Sequence, residues 1–281
     1  MKIYYGDNLE VMRGFEEERV DLIYIDPPFN TGRRQERARI KAVGDDDGDR
    51  VGFGGRRYRT EEVGRSGYGD RFEDYLGWLE PRLREGYRVL KKDGSLFFHV
   101  DYREVHYCKV LLDEIFGREC FMNELIWAYD FGARSKTKWS TKHDNILWYV
   151  RDPKRYCFHF EEMERIPYMA PGLVGKEKAE RGKTPTDVWW HTIVPTNGTE
   201  RTGYPTQKPV GIIRRIIEVH SDPGDVVLDF FAGSGTTGAA AEQLGRKSVL
   251  IDCNIEAMKV MEKRFKDVGP EFVGWNGGEG A

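Results

Sequence analysis

Apolar and polar positions follow a regular alternation of predicted strands and helices along most of the chain. Short apolar runs bounded by turn residues predict strands, and near-continuous runs such as 20–26 suit a parallel sheet that is buried on both faces. The predicted strands are 2–7, 20–26, 95–100, 125–129, 145–150, 225–229 and 247–252. The predicted helices are 8–15, 72–92, 102–116, 210–220, 235–244 and 253–266. Strands that alternate with helices in this way are typical of a doubly wound α/β sheet.

Three segments depart from this pattern. Residues 30–70 are rich in Gly, Arg and Asp and have little apolar periodicity, which predicts a long mobile loop. We expect an inserted recognition region over 120–205, because 151–205 is irregular. The tail 269–281 contains five glycines and is expected to fray. These segments divide the chain into a catalytic half (1–119), the insertion (120–205), a cofactor half (206–268) and the tail.

Composition bounds the class of protein. The 281 residues suffice for one large domain with an insertion, and 32% charged with 39% hydrophobic residues indicates a folded, soluble chain. The sequence has neither an apolar run near the ~20 residues that span a bilayer nor the features of a signal peptide, so we expect a cytoplasmic protein. The four cysteines form no Cys-x-x-Cys pair, and no His, Asp or Glu spacing predicts a metal site. The net charge of −3 requires any DNA-binding surface to be a local basic patch.

A glycine turn follows the apolar run at 225–229. It reads Phe231-Ala-Gly-Ser-Gly235, and a predicted helix begins there. Glycines let the main chain approach a ligand, and a helix N-terminus favours an anionic group. The next predicted strand ends at Asp252, whose carboxylate can bind both hydroxyls of a ribose. The motif indicates a nucleotide-like ligand, against the alternative of an ordinary strand–turn–helix crossover. The third glycine of the dinucleotide fingerprint is missing, so a nucleotide-dependent oxidoreductase is the less favoured class.

The tetrad Asp26-Pro27-Pro28-Phe29 follows the apolar run at 20–26. Proline cannot donate to a ladder and ends the strand, and ligands of α/β sheets bind at such strand ends. The Asp26 carboxylate and the Pro27 carbonyl can accept hydrogen bonds, and Phe29 offers a face for stacking. The tetrad therefore suits a planar heterocycle that carries an amino group, against the alternative of a proline-rich turn.

These two motifs together resemble the amino-methyltransferases of restriction–modification systems. Because the catalytic tetrad precedes the glycine turn, the order resembles the beta class. Thr206-Gln-Lys-Pro209 and Gly6-Asp-Asn-Leu9 match further motifs of that family. Tyr204 and Phe29 depart from its pattern, in which His and Tyr are more frequent. The resemblance covers nearly the whole chain outside 30–70 and 151–200.

The resemblance implies a Rossmann-like, mostly parallel methyltransferase sheet with S-adenosylmethionine as cofactor and S-adenosylhomocysteine as product. The catalytic residues would be Asp26, Pro27, Pro28 and Phe29, with Asp26 and the Pro27 carbonyl holding the target amino group. The residues expected to bind the cofactor are Asp7, Asn8, Asp26, Thr206, Gln207, Lys208, Asp229, Phe230, Phe231, Gly233, Ser234, Gly235 and Asp252.

The expected reaction methylates N6 of an adenine that is flipped out of DNA. Asp at the first tetrad position favours adenine in this family, whereas Ser is commoner in cytosine-N4 enzymes, so cytosine N4 stays the close alternative. The chain lacks a Pro-Cys nucleophile motif, which argues against cytosine C5. RNA or protein methylation and an inactive DNA-binding module also stay open.

Basic stretches are expected to hold double-stranded DNA through its phosphates. The residues predicted for this role are Arg33, Arg34, Arg56, Arg57, Arg134, Lys136 and Lys138, with Trp139 beside the last three. Trp189 and Trp190 are equally suited to the core and to a DNA contact. The resemblance also allows a homodimer and a cognate restriction endonuclease as partners.

Overall fold

The computed structural model describes residues 1–44, 47, 50–51, 57–132, 134–195 and 197–277. The strands are β1 (Lys2–Tyr5), β2 (Val20–Ile25), β3 (Arg33–Gly44), β4 (Arg50–Val51), β5 (Arg57–Asp70), β6 (Leu90–Val100), β7 (Phe121–Ala128), β8 (His143–Val150), β9 (Val188–Trp190), β10 (Val226–Asp229), β11 (Lys247–Asp252) and β12 (Glu271–Val273). The helices are α1 (Asn8–Arg13), α2 (Tyr75–Val89), α3 (Val105–Phe116), α4 (Lys176–Arg181), α5 (Val210–His220), α6 (Thr236–Gln243) and α7 (Ile255–Arg264).

A nine-stranded sheet forms the centre of the molecule, in the order β12-β1-β11-β10-β2-β6-β8-β7-β9. The first six of these strands run parallel, whereas β8 is antiparallel to both of its neighbours. From β10 the chain passes through α6 to β11 on one side, and from β2 it passes through α2 to β6 on the other. The direction of winding therefore reverses between β10 and β2, where open α/β sheets commonly bind ligands. The predicted fold class is confirmed.

Helices cover both faces of the sheet because successive residues of its strands point to opposite sides. Ile23 and Ile25 of β2 pack with residues of α1, α2 and α3 in one core cluster. Leu22 and Tyr24, on the other face, pack with α5 and α6. Helix α7 extends this second layer over β1 and β11, where Met258 contributes to a third cluster.

The prediction that residues 30–70 form one long loop is wrong for the strands β3, β4 and β5, whereas residues 45–46, 48–49 and 52–56 lie outside the described residues. Strands β3 and β5 pair antiparallel from Arg33 opposite Asp70 to Gly44 opposite Tyr58, and β4 joins the outer end of β5. This three-stranded ribbon is separate from the main sheet. Residues 30–70 have little apolar periodicity, and the pairing of β3 with β5 is a matter of main-chain hydrogen bonds between strands, which periodicity does not report. The sequence pattern therefore gave no signal for it.

The predicted insertion at 120–205 is wrong in its first part. Strands β7 and β8 pair with each other, and β8 pairs with β6 along Ser95–Val100, so both belong to the main sheet. Strand β9 adds a parallel edge to β7. The remainder of the segment is largely irregular, with the short helix α4.

Two smaller expectations are also corrected. The helix predicted over 72–92 is shorter than expected, because α2 ends at Val89 and the chain extends from Leu90 into β6. Val89 and Leu90 are both fully buried, so packing of this apolar pair fixes the turn into the strand. The expectation that 269–281 frays is wrong for β12, which pairs in parallel with β1, whereas 278–281 lie outside the described residues. Trp275 packs against Tyr5 with ring centroids 5.3 Å apart.

No helix among the described residues is both long and apolar enough to cross a membrane.

Candidate active site

Four aspartates stand at the carboxyl ends of four neighbouring parallel strands. Asp252 and Asp229 end β11 and β10, Asp26 directly follows β2, and Asp7 follows β1 after one glycine. A cavity of about 340 Å³ lies at this edge, which is large enough for a small-molecule ligand. The residues that line it are Gly6, Asp7, Asn8, Tyr24, Asp26, Pro28, Phe72, Trp78, Arg82, Tyr204, Thr206, Gln207, Lys208, Ile213, Asp229, Phe230, Phe231, Ala232, Gly233, Ser234, Thr236, Thr237, Asp252, Cys253 and Asn254.

Asp229 braces the turn that follows β10. Its carboxylate accepts hydrogen bonds from the main-chain N–H of Phe231 at 3.0 Å and from the Thr237 hydroxyl at 2.5 Å. The side chain is buried, and this burial raises the pKa of Asp229 to about 7. With both oxygens bonded within the protein, Asp229 holds the shape of the glycine turn.

Both glycines of the turn have a positive φ, and at both a side chain would meet an aromatic ring. Gly235 has a φ of +73° and is the N-cap of α6, and a Cβ there would stand 2.7 Å from the ring of Phe265. Gly233 has a φ of +50°, and its added Cβ would stand 3.2 Å from the ring of Tyr204. Tyr204 stands where His is frequent in the resembling family. Its ring lies next to Gly233 and lines the cavity.

Asp252 is tied to the same turn. Its carboxylate accepts hydrogen bonds from the main-chain N–H of Gly233 at 2.7 Å and of Asn254 at 2.8 Å. Removal from water raises the pKa of Asp252 above its usual value. Since each carboxylate oxygen can accept two hydrogen bonds, both oxygens keep the capacity to bind the hydroxyls of a ribose.

Asp7 and Asn8 are joined by an arginine that the sequence analysis missed. Arg82 donates to Asp7 at 2.7 Å and to Asn8 Oδ1 at 2.7 Å, and its guanidinium lies 4.4 Å above the ring of Trp78. Asn8 also donates to the Phe230 carbonyl at 2.6 Å, so both ends of its amide are used inside the protein. The sequence did contain a signal for the role of Arg82, because it is a charged residue on the otherwise apolar face of the predicted helix.

The tetrad forms the opposite wall of the cavity. Asp26 and Pro28 line it, whereas Pro27 is buried beneath and Phe29 is half-buried beside it. Asp26 Oδ1 is buried and has no hydrogen-bond partner among the described residues. Buried polar atoms are normally paired, so an unpaired acceptor on a residue that lines the cavity is a feature expected of a substrate contact.

A buried polar network supports Phe29 from behind. The ring of His99 lies 5.9 Å from the ring of Phe29, and its two nitrogens contact the Tyr24 hydroxyl at 2.7 Å and Asp144 at 3.2 Å. Burial alone would raise the pKa of Asp144, but the hydrogen bond from His99 and its charge hold it below its usual value. These hydrogen bonds hold the His99 ring in place, and Phe29 packs against that ring.

The Thr206-Gln-Lys-Pro209 motif leads into α5 across the cavity from the turn. Thr206 has a φ of +58°, a conformation that costs about 1–3 kcal/mol in a residue other than glycine. Gln207 stabilises it, accepting from the main-chain N–H of Thr202 at 2.9 Å and donating to the Glu200 carbonyl at 2.8 Å. Lys208 places its ammonium nitrogen 2.9 Å from Asp26 Oδ2.

Of the residues predicted to bind DNA, those whose side chains the structure describes are not among the residues that line the cavity. Arg134, Lys136 and Lys138 are exposed in the β7–β8 connection, with Arg134 2.7 Å from Asp130. Arg33 and Arg34 begin the ribbon strand β3, Arg57 is exposed at the start of β5, and Arg56 lies outside the described residues. The two tryptophans differ in burial. Trp189 is 8% exposed and belongs to the core, whereas Trp190 is 73% exposed.

Away from this edge, the described residues contain one group with the composition of a metal site. Potential ligand atoms of Cys157, His159 and Asp222 lie within 4.8 Å of one another. His159 Nε2 is 3.1 Å from the Cys157 sulfur and 3.0 Å from Asp222 Oδ1, which are hydrogen-bond distances. Burial raises the pKa of Cys157 to about 11, so the thiol stays protonated at neutral pH. We assign this group no metal, and the sequence prediction of none stays a prediction.

The donor and acceptor set of the cavity fits the predicted cofactor. Asp252 supplies acceptors for a ribose, and the glycine turn leaves space that a side chain would fill. Trp78 and Phe231, with ring centroids 5.7 Å apart, add apolar wall. The cavity joins this cofactor side to the tetrad through Asp26.

Comparisons with known proteins agree with this geometry. A profile of the family described as DNA methylase matches residues 20–263. The chain is 28% identical to the type II methyltransferase M.HpaI from Haemophilus parainfluenzae, over 98% of this chain and 76% of that protein. It is 30% identical to the DNA adenine methyltransferase YhdJ from Escherichia coli (strain K12), over 96% of this chain and 84% of that protein.

Two solved structures share the fold. The complex of M1.HpyAVI with SAM superposes with a TM-score of 0.61 at 20% identity, over 94% of this chain and 98% of that chain. The cytosine-N4-specific PvuII DNA methyltransferase superposes with a TM-score of 0.60 at 18% identity, over 94% of this chain and 85% of that chain. The sequence match over most of the chain confirms the predicted family and its cofactor, and the chain belongs to the DNA methylase family, which uses S-adenosylmethionine as methyl donor.

Proposed function

We propose that the protein methylates N6 of adenine in double-stranded DNA. The observation that carries the proposal is Asp26 Oδ1, a buried acceptor without a partner among the described residues, in the wall shared by the tetrad and the cofactor side. An acceptor in this position is complementary to an N–H donor, and an exocyclic amino group presents two such hydrogens.

The chemistry asked of the tetrad is to make a poor nucleophile reactive. The lone pair of an aromatic amine is delocalised into its ring. When Asp26 Oδ1 and the Pro27 carbonyl accept the two amino hydrogens, the nitrogen moves toward a tetrahedral shape and its lone pair is localised. When bound, the cofactor would supply the methyl group on a positively charged sulfur and leave as S-adenosylhomocysteine, and the methylated nitrogen would lose one proton to solvent. Positioning and fixed acceptors then lower the barrier without a covalent intermediate.

Phe29 would hold the target base by stacking. Its ring is half-buried and packs near His99, and it follows Pro28, which lines the cavity, so it would offer a fixed face next to the cavity. A base inside a duplex cannot reach this face, so the target nucleotide must rotate out of the stack. Stacking on a fixed aromatic ring offsets about 1–3 kcal/mol of the unstacking free energy.

Adenine is favoured over cytosine by two observations. The first tetrad residue is Asp26, which is the adenine-associated residue in the resembling family, and the relative YhdJ is described as a DNA adenine methyltransferase. Methylation of cytosine N4 is the second candidate, because the cytosine-N4-specific PvuII enzyme shares the fold. Both bases present an amino group beside a ring nitrogen, so the tetrad chemistry serves either.

The DNA would lie across the edge that carries Asp26. Because β8 is antiparallel to β6, the β7–β8 connection stands at this same edge. It presents exposed Arg134, Lys136 and Lys138, with Trp139 96% exposed among them. The ribbon begins four residues after Phe29, and Thr31 fastens its base by donating to Asp70 at 2.5 Å. Basic side chains on both segments suit the phosphates of a duplex.

Expression in a host without adenine or cytosine-N4 methylation tests the proposal. Genomic DNA would be digested and its nucleosides separated by mass, and single-molecule sequencing would place the modified base in its context. We expect N6-methyladenine at one recurrent sequence. N4-methylcytosine would establish the second candidate, and unmodified DNA with methylated RNA or protein would reject a DNA substrate.

A further inference from the structure

Lys208 touches both the first and the last residue of the tetrad. Its ammonium nitrogen lies 2.9 Å from Asp26 Oδ2 and 4.6 Å from the centroid of the Phe29 ring. The lysine side chain is only 10% exposed. Water therefore screens this ion pair weakly, and its geometry is fixed more firmly than that of a surface pair.

The ion pair makes the two oxygens of Asp26 unequal. Oδ2 faces the ammonium, whereas Oδ1 is buried without a partner among the described residues. A carboxylate that is free to rotate would present either oxygen, whereas this ion pair holds one oxygen in a fixed place. The contact that the amino group requires therefore depends on which way the carboxylate is turned.

The main chain around Lys208 is held in place. Thr206, two residues earlier, adopts the left-handed region, and the two hydrogen bonds of Gln207 stabilise that turn. The Lys208 carbonyl accepts from the Thr236 hydroxyl at 3.3 Å, which joins it to the start of α6. Strain that is retained by its surroundings is common at functional sites.

We propose that Lys208 is a positioning residue for Asp26. Its ammonium binds Oδ2 and so keeps the carboxylate turned such that Oδ1 is left for the amino group of the target base. This inference rests on the proposed function, and it differs from the sequence prediction, in which Lys208 binds the cofactor. A residue that positions Asp26 should affect the rate of methyl transfer, whereas a residue that binds the cofactor should affect the affinity for it.

Two variants and a surface control separate these roles. Lys208→Met removes the charge at similar length, Lys208→Arg keeps it, and Lys92→Met changes a lysine that is 70% exposed. Calorimetry would measure binding of S-adenosylhomocysteine and of 5′-methylthioadenosine, which lacks the amino-acid end. Single-turnover methyl transfer at saturating cofactor would measure the rate with DNA.

We expect Lys208→Met to lower the rate by about 100-fold, the size typical of losing one fixed electrostatic partner. Its affinity for S-adenosylhomocysteine should stay within about twofold of the wild type, and Lys208→Arg should recover part of the rate. Lys92→Met should behave as the wild type. A selective loss of S-adenosylhomocysteine binding, with 5′-methylthioadenosine unaffected and the saturated rate unchanged, would overturn the proposal in favour of a cofactor contact.

A stability cycle tests the ion pair without any activity. If Lys208 acts through Asp26, Lys208→Met should destabilise the Asp26→Asn protein less than the wild type in urea unfolding. Additive losses would contradict a direct interaction. A wild-type protein that transfers no methyl group to DNA would refute the proposed function alone, because the cycle and the two binding measurements do not use DNA.

Discussion

The main-chain N–H of Gly233 donates to Asp252 Oδ2 at 2.7 Å and so joins the glycine turn after β10 to the end of β11. Both partners line the cavity. One carboxylate thereby fixes the turn and remains available to a ribose, which makes the cofactor side a single coupled unit.

Removal of this carboxylate should weaken cofactor binding. Hydrogen bonds to a charged group contribute about 1.5–3 kcal/mol, so Asp252→Ala should raise the dissociation constant of S-adenosylhomocysteine by roughly 10- to 100-fold. Asp252→Asn retains one acceptor oxygen, so its dissociation constant should lie between those of the wild type and Asp252→Ala. Calorimetry on protein that remains folded by circular dichroism measures the effect. Unchanged affinity in Asp252→Ala would exclude this residue from the ribose contact.

The sequence predicted the two motifs of the site and their order, because each follows a strongly apolar run at a strand end. It did not predict Arg82, whose importance comes from contacts with Asp7 and Asn8, which are 74 or more positions away along the chain. It also missed the open oxygen of Asp26, since pairing of buried atoms is a property of three-dimensional packing. Patterning failed for β12 because a short strand that buries little apolar surface leaves no periodic signal, and it failed for the ribbon because residues 30–70 have little apolar periodicity.

Asp26→Asn should abolish most methyl transfer while leaving the cofactor site intact. The substitution preserves shape but replaces one acceptor oxygen with a donor. We expect at least a 100-fold lower single-turnover rate, with S-adenosylhomocysteine affinity within a few fold of the wild type. Rates would be measured with labelled cofactor and DNA. Retained turnover at saturating cofactor, together with lost affinity, would assign Asp26 to cofactor binding alone.

Gly235 and Gly245 have nearly the same φ but different surroundings, so substituting each one separates the cost of backbone strain from the cost of a steric clash. Their φ values are +73° and +72°, but a Cβ at Gly235 would clash with Phe265, whereas one at Gly245 would meet nothing within 4 Å. Gly245→Ala should therefore cost only the left-handed strain, about 1–2 kcal/mol. Gly235→Ala should cost distinctly more. Urea unfolding compares the two, and equal losses would show that Phe265 yields without penalty.

Trp139 should contribute to DNA binding and not to cofactor binding. It is 96% exposed in a basic segment at the edge that carries Asp26. Stacking of an exposed aromatic on a base contributes about 1–3 kcal/mol, so Trp139→Ala should weaken DNA binding by roughly 10-fold. Fluorescence anisotropy at fixed salt measures it. Val110→Ala, which truncates a 59% exposed residue of α3, is the control and should leave DNA affinity unchanged.

His220 should make the fold sensitive to acid. Burial lowers its pKa from about 6.5 to about 3, and its ring packs 4.4 Å from the ring of Trp148. The unfolded chain binds the proton more readily, so this contribution to stability is complete above pH 6.5 and falls as the pH drops toward 3. The slope for one proton is about 1.4 kcal/mol per pH unit.

His220→Phe keeps an aromatic ring and removes the titrating group, so its unfolding free energy should depend less steeply on pH across this window. His106→Phe changes an exposed histidine and serves as the control, with the wild-type slope. Equal slopes in the wild type and His220→Phe would show that His220 is not the acid-sensitive group.

The most direct test of the central claim is nucleoside analysis of duplex DNA after incubation of the purified protein with isotopically labelled S-adenosylmethionine. We predict that the label appears in N6-methyladenine and that Asp26→Asn yields almost none. Label on C5 of cytosine, or on the protein itself with none in DNA, would contradict the account.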